Sequence, residues 1–322
     1  MKSIRILGLF SALFALCVMQ AQAETGHFDR TLQVSGTVDL EITSGAGNIT
    51  VHTGGNGNVH VGAKIHARDF WMGMSASEKI RRIEANPPIE QQGNTIRIGK
   101  IEDRDLQRNV SIDYDVIVPP QTKLVAQTGS GDQTLNGLGL PLTAKTGSGN
   151  VTVENIGGEV HASSGSGDLK ITSVKGSLNA GTGSGSIHAI GIGGAITAST
   201  GSGSIDVEQV APGNVKVESG SGGIKVRGLK GSLRADTGSG DIRAEGEPTG
   251  DWRIGAGSGS IDLKIPSQSS FNLDARTSSG RLTVNHPVTS QGSFSHSHVQ
   301  GKVGSGGALL DVHTGSGDIQ ID

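Results

Sequence analysis

Thr128-Gly129-Ser130-Gly131 returns as Thr146-Gly147-Ser148-Gly149, Ser164-Gly165-Ser166-Gly167, Thr182-Gly183-Ser184-Gly185 and Thr200-Gly201-Ser202-Gly203, at a spacing of 18 residues kept without a slip. Gly222, Gly240, Gly259 and Gly280 continue the series at 19, 18, 19 and 21 residues, and Gly306 and Gly317 close it less regularly. A unit this short buries too little to fold alone, so each is one coil stacked on its neighbours. The chain is therefore read as all-β, a parallel β-solenoid or β-helix of about 18-residue coils.

Between the corners the apolar residues alternate. The unit 146–163 carries Val151 and Val153, then Ile156, then Val160 and Ala162; the next carries Leu169, Ile171, Val174, Leu178 and Ala180. Period-2 strands put these residues on one inward face. In-register stacking about 4.8 Å apart then turns them into columns. The outward column between the first two apolar positions reads Thr152, Lys170, His188, Asp206, Lys225, Arg243 and Asp262, with no lasting run of one charge. Glycine is expected at the corners because a corner takes φ > 0 or brings backbones close.

Composition agrees with a thin core. The 322 residues include 52 glycines and 9 aromatics, and 34% are hydrophobic, which is poor material for a thick globular interior. Net charge is −3 with both signs scattered, so no basic stripe for nucleic acid is present.

Lys2 and Arg5, the apolar run 6–19 and Ala21-Gln22-Ala23 have the charged, apolar and small-residue layout of a signal peptide, with cleavage expected after Ala23. The run is too short to stay as a spanning helix. Cys17 leaves with it, so the mature chain has no cysteine and relies on stacking in an oxidising compartment. The chain divides into residues 1–23 as signal, 24–124 as N-terminal coils, and 125–322 as the regular Gly-Ser-Gly solenoid. An insertion at 64–108 interrupts the N-terminal coils. There Ser75 and Glu78 form a capping box, and Ile80 and Ile83 give one short helix an apolar side before Pro87-Pro88. Phe70, Trp71, Met72 and Met74 are the candidate partner contact, or else a cap over the open end of the stack.

Several chemistries are weighed against bland readings. Asp132, Asp168, Asp241 and Asp318 suggest a calcium-binding β-roll, but Asn150, Ser186, Ser204, Gly223, Ser260 and Arg281 hold the same position elsewhere. Corner-capping hydrogen bonds account for this set more simply. Thr128, Thr146, Thr182, Thr200 and Thr237 form an array like that of ice-binding solenoids, yet the flanking glycines imply a bent corner stiffened by a hydroxyl ladder. His296 and His298 with His286 or His313 make a weak metal set. No nucleophile elbow, zincin or Walker pattern occurs. A sugar-cleaving β-helix needs clustered acids on neighbouring coils, and the outward column offers only Asp206 and Asp262, three coils apart.

The signal peptide, the degenerate early strands, the step from Val118 to Leu124 and the serial Thr-Gly-Ser-Gly units together resemble the bacterial putative-adhesin family of β-strand-repeat proteins, a domain of unknown function. The resemblance covers nearly all the mature chain and implies the solenoid fold without catalytic or ligand residues.

The expectation is a non-enzymatic, exported cell-envelope solenoid, an adhesin or structural and binding scaffold, located in the periplasm, on the cell surface or outside the cell. It needs no cofactor or metal, and its partner is an envelope protein or polysaccharide rather than nucleic acid. No integral membrane span is expected. The alternatives are a carbohydrate-active β-helix enzyme and a calcium-dependent surface protein. Because Asp322 directly follows the strand Ile319-Gln320-Ile321, that strand is read as an uncovered edge. Either the polar excursion 286–303 covers it, or it drives self-association.

Overall fold

A computed structural model describes residues 24–55, 57–69, 73–289 and 295–322. The segment read as a signal peptide lies outside them, as do Phe70, Trp71 and Met72. Each regular coil holds two short strands separated by the Gly-Ser-Gly corner, as in Leu142–Thr146 followed by Val151–Ile156. First strands pair in parallel with first strands, and second strands with second, in strict register: Leu142 opposite Val160, Leu178 opposite Ile196, Val151 opposite Leu169, Ile187 opposite Ile205. Two long facing sheets result, with 14 and 15 strands among the described residues. The fold is the parallel β-solenoid that the period implies.

The core is the space between the sheets. From one wall come Leu142, Val160, Leu178, Ile196, Val215, Leu233 and Trp252; from the other come Val151, Leu169, Ile187, Ile205, Ile224, Ile242 and Ile261. All are fully buried, and each aliphatic side chain contributes about 1.5–3 kcal/mol by leaving water. Lys170, His188, Lys225 and Arg243 stand exposed on the outward column, as the alternation requires.

The two ends of each coil use glycine differently. At the Gly-Ser-Gly corner the reason is close approach: a Cβ on Gly149 would sit 1.9 Å from the carbonyl oxygen of Gly131, and one on Gly167 equally close to that of Gly149. At the opposite end the reason is backbone conformation. Gly137, Asn155, Ser173 and Gly191, spaced by one coil, have φ of 85°, 58°, 58° and 76°, the left-handed region that Gly and Asn tolerate and Ser does not favour.

The coils do not stack in chain order at either end. Thr95–Ile98 pairs with Val38–Ser44, and Val110–Val118 pairs with Ile49–Thr53, so a later coil lies outside an earlier one. Antiparallel strands finish this end: Asn58–Ala67 and then Glu24–Gln33 on one sheet, Ile89–Gln92 on the other. The helix Ala76–Ala85 starts at Ser75, whose hydroxyl accepts the Glu78 N–H at 3.3 Å, as the capping box predicts. Arg82, hydrogen-bonded at 2.8 Å, together with Arg81 holds the exposed Glu78 carboxyl below its usual range. Ile80 and Ile83 pack on the strand Glu24–Gln33, and Glu84 Oε1 accepts the His27 N–H of that edge at 2.9 Å. A second helix, Arg104–Gln107, adds to the one expected.

The C-terminal strand is not an edge. Ile319–Ile321 lies between Ile261–Lys264 and Leu282–Val284, paired in parallel with both, and Leu309–Ser316 lies likewise between Trp252–Ser258 and Phe271–Ser279. The expectation of an uncovered last strand is thus corrected. A strand pattern fixes which face is buried, whereas the stacking order is set by which coil slides between which. The excursion does fold back, but onto a different strand: His298–Val303 pairs antiparallel with Phe271–Ser279, and Val288–Thr289 pairs with His298–Val303.

Candidate functional site

The polar residues of the repeat are engaged between coils. The Thr146 hydroxyl donates to the Gly131 carbonyl at 3.0 Å and accepts the Gly149 N–H at 3.0 Å. Ser164, Thr182, Thr200 and Ser219 repeat both contacts one coil at a time. These side chains are buried, so the array presents no face to solvent. Beside it runs a second ladder. Asp132 Oδ1 accepts the Asn150 N–H at 2.7 Å, Asn150 Oδ1 the Asp168 N–H at 2.9 Å, and Asp168 Oδ1 the Ser186 N–H at 2.7 Å. Asp241 and Asp318 do the same for Ser260 and Arg281. These carboxylates cap the corner of the following coil, the bland reading of the Gly-Ser-Gly-Asp motif.

The histidine set does not converge. His286 is buried edge-on against Phe271 at 5.6 Å, His298 Nε2 lies 3.1 Å from Asp274 Oδ1, and His313 faces outward beside Gly255. Among the described residues no group of three or more His, Cys, Asp or Glu side chains is placed to hold a metal ion. On the outer column Asp206 is tied up by Arg227 Nη1 at 3.0 Å and lies 3.5 Å from His188 Nδ1. The acids that do meet on neighbouring coils are on the other sheet. Asp274 is opposite Asp311, both beside Arg276, and Glu218 is opposite Asp236, with Arg234 Nε 3.0 Å from Asp236 and Lys216 Nζ 3.0 Å from Glu218. The sequence reading followed one outward column and missed these pairs on the other sheet.

Of the candidate contact residues, Phe70, Trp71 and Met72 lie outside the described residues, and Met74 is half-buried just before the helix cap. The same insertion builds a concave site further along. Elsewhere each Gly-Ser-Gly corner rests on the corner before it: a Cβ on Gly129 would meet the Gly45 carbonyl at 2.2 Å. On the far side of Ser44-Gly45-Ala46-Gly47 only half of such a corner is present: a Cβ on Gly47 would meet the Ile112 carbonyl at 1.9 Å, but nothing backs Gly45, because the outer coil leaves its strand at Gly99 and returns only at Val110. A Cβ on Gly45 would find open space. The arch 99–109 instead borders a half-open cavity of about 430 Å³. It is braced by Gln107 Nε2 donating to the Ile101 carbonyl and by Lys79 Nζ of the helix donating to the Arg108 carbonyl at 2.6 Å.

Ile98, Ile101, Val110 and Ile112 give the cavity an apolar wall, and Glu41, Arg97 and Lys100 stand at its rim. Arg97 Nε is 3.5 Å from Glu41, and Lys100 Nζ is 3.3 Å from Glu102, all four side chains being well exposed. Tyr114 lines the site with only 2% of its surface exposed, and its hydroxyl has no hydrogen-bond partner. Burial pushes the phenol pKa up, so it remains a neutral donor.

The family model Toastrack DUF4097 matches residues 26–322. No curated protein matches the chain. Among solved structures, a putative cell adhesion protein from Clostridium sporogenes is 10% identical over 92% of this chain and 99% of its own, with a TM-score of 0.24. A putative adhesin from Bacteroides fragilis is 12% identical over 92% and 97%, with a TM-score of 0.30. One from Parabacteroides merdae is 10% identical over 74% and 95%, with a TM-score of 0.31.

Proposed function

The chain belongs to the Toastrack DUF4097 family, and from that premise we propose that it is a non-enzymatic, exported β-solenoid of the cell envelope, a binding or structural scaffold of adhesin type. The observation that carries this reading is the consumption of the repeat's polar side chains in coil-to-coil hydrogen bonds, which leaves the corners rigid and chemically occupied. The described helices include none long and apolar enough to cross a membrane. The N-terminal layout supports export, and N-terminal sequencing of the protein from envelope fractions should begin at Glu24. Its partner is an envelope protein or polysaccharide held on the outward columns, where charge is mixed and aromatic side chains are scarce. Tagged residues 24–322, incubated with envelope polysaccharides and proteins, should retain one of them unchanged. Failure to retain any, or release of cleaved saccharide, would overturn the reading.

The second reading, a carbohydrate-active enzyme, is favoured by Glu218 and Asp236. They sit directly opposite each other on adjacent strands, as a pair of acids acting on one glycosidic bond must. Against it stands the pairing of both acids with Arg234 and Lys216. If saccharide cleavage is seen, its loss in Glu218→Gln would identify this pair as the centre.

A further inference from the structure

Three features of the cavity under the arch 99–109 point in one direction. It arises where the Gly45 half of a stacking corner has no neighbour, so no repeat contact fills it there. Its size falls in the range of small-molecule pockets, about 300–1,000 Å³, and its wall is largely aliphatic. It also holds a buried donor, the Tyr114 hydroxyl, left without a partner. A buried polar group in that state costs about 1–3 kcal/mol, a penalty that a ligand acceptor atom removes. Of the charged side chains that line it, Arg97 and Lys100 outnumber Glu41, while Glu102, the partner of Lys100, lies outside the lining, which favours an anion within the cavity. Their existing ion pairs are solvent-exposed, and pairs of that kind contribute little, so a ligand acid displaces them at low cost.

We propose that this cavity binds a small amphiphilic acid, with its acid group at Arg97 and Lys100, its aliphatic body against Ile98, Val110 and Ile112, and a hydroxyl or carbonyl oxygen at its far end accepting from Tyr114. The ligand is a free acid of medium chain length rather than a bilayer lipid, because the arch bounds a half-open pocket of limited volume and not an extended apolar face. Arg97 and Glu41 end one outward column, whereas Tyr114 and Ile112 lie buried beneath the arch, so the Tyr114 and Val110 variants test this site alone and their failure leaves the scaffold reading untouched.

The test is isothermal titration of residues 24–322 with octanoate, with 8-hydroxyoctanoate, and with phosphatidylglycerol vesicles. Both acids should bind saturably at one site per chain, the hydroxy acid more tightly. Tyr114→Phe should keep octanoate affinity and erase the advantage of the hydroxy acid. Arg97→Gln combined with Lys100→Gln should weaken both acids about tenfold, the equivalent of one charge-assisted hydrogen bond, and these exposed substitutions leave the fold intact. Val110→Trp, which fills the cavity, should abolish binding. Absence of saturable heat with either acid overturns the proposal. So does equal binding by wild type and Val110→Trp, a hydroxy-acid advantage that survives Tyr114→Phe, or binding to the vesicles alone.

Discussion

Replacing Thr182 by valine keeps the shape of the side chain and removes only its hydroxyl. That hydroxyl donates to Gly167 O at 2.9 Å and accepts the Gly185 N–H at 3.2 Å, in a position 8% exposed. Two hydrogen bonds of about 1 kcal/mol each are lost, and a buried N–H is left unpaired, so the expected destabilisation is about 2–3 kcal/mol. The site lies mid-stack, where both neighbouring coils hold it in register and end fraying does not dilute the effect. Ser184→Ala, two residues on and exposed, should change stability by no more than about 0.5 kcal/mol. Urea unfolding followed by circular dichroism measures both, and amide hydrogen exchange reports Gly185 directly. The natural exception is instructive. Ala256 occupies the same ladder position, opposite Thr237 and Thr314, and there the Gly259 N–H goes to the Ser316 carbonyl at 2.9 Å. Equal unfolding midpoints for the two variants, with Gly185 still protected, would refute the view that the hydroxyl ladder holds the corners.

Ser173→Gly should stabilise the chain by about 1 kcal/mol in the same assay, since Ser173 holds a left-handed φ of 58° that costs an L-residue about 1–2 kcal/mol. Ile205→Asp buries a carboxylate in a core one side chain deep and should lower the melting temperature sharply, whereas Lys225→Asp, exposed on the neighbouring coil, should melt like wild type. Deleting residues 288–302 removes the antiparallel strands that cover Phe271–Ser279 and should produce oligomers in light scattering, through an edge nine residues long.

The period of the Gly-Ser-Gly corners was enough to read the stack, the inward columns and the pairing of each coil with the next. Register in a parallel solenoid follows directly from equal spacing. The capping box at Ser75 was equally legible, because a helix start is a local signal. The order of coils at the two ends was not. Ile261, Ile319 and Leu282 have the same inward pattern, and nothing local tells which of their strands stands in the middle. The purpose of the glycines was half legible: sequence supplies the residue, but only geometry separates close approach at Gly149 from a left-handed backbone at Gly191. The cavity was illegible because it is made where half of a corner, the part that would back Gly45, is missing. Its key residue, Tyr114, reads as one more inward residue of the strand Val110–Val118.

The stacked, reordered architecture is tested most directly by disulfide trapping in residues 24–322, which contain no native cysteine. Gln320 lies opposite Asp262 on one side and Thr283 on the other. Neighbouring strands stand about 4.8 Å apart, within disulfide reach, and next-nearest strands at about twice that lie beyond it. Asp262→Cys with Gln320→Cys, and Gln320→Cys with Thr283→Cys, should therefore oxidise readily to intramolecular bonds, and Asp262→Cys with Thr283→Cys should not. Rapid bonding of the last pair, with none between Asp262→Cys and Gln320→Cys, would mean that the coils stack in chain order and would contradict the architecture described; the Gln320–Thr283 pair is adjacent in either order and serves as the positive control.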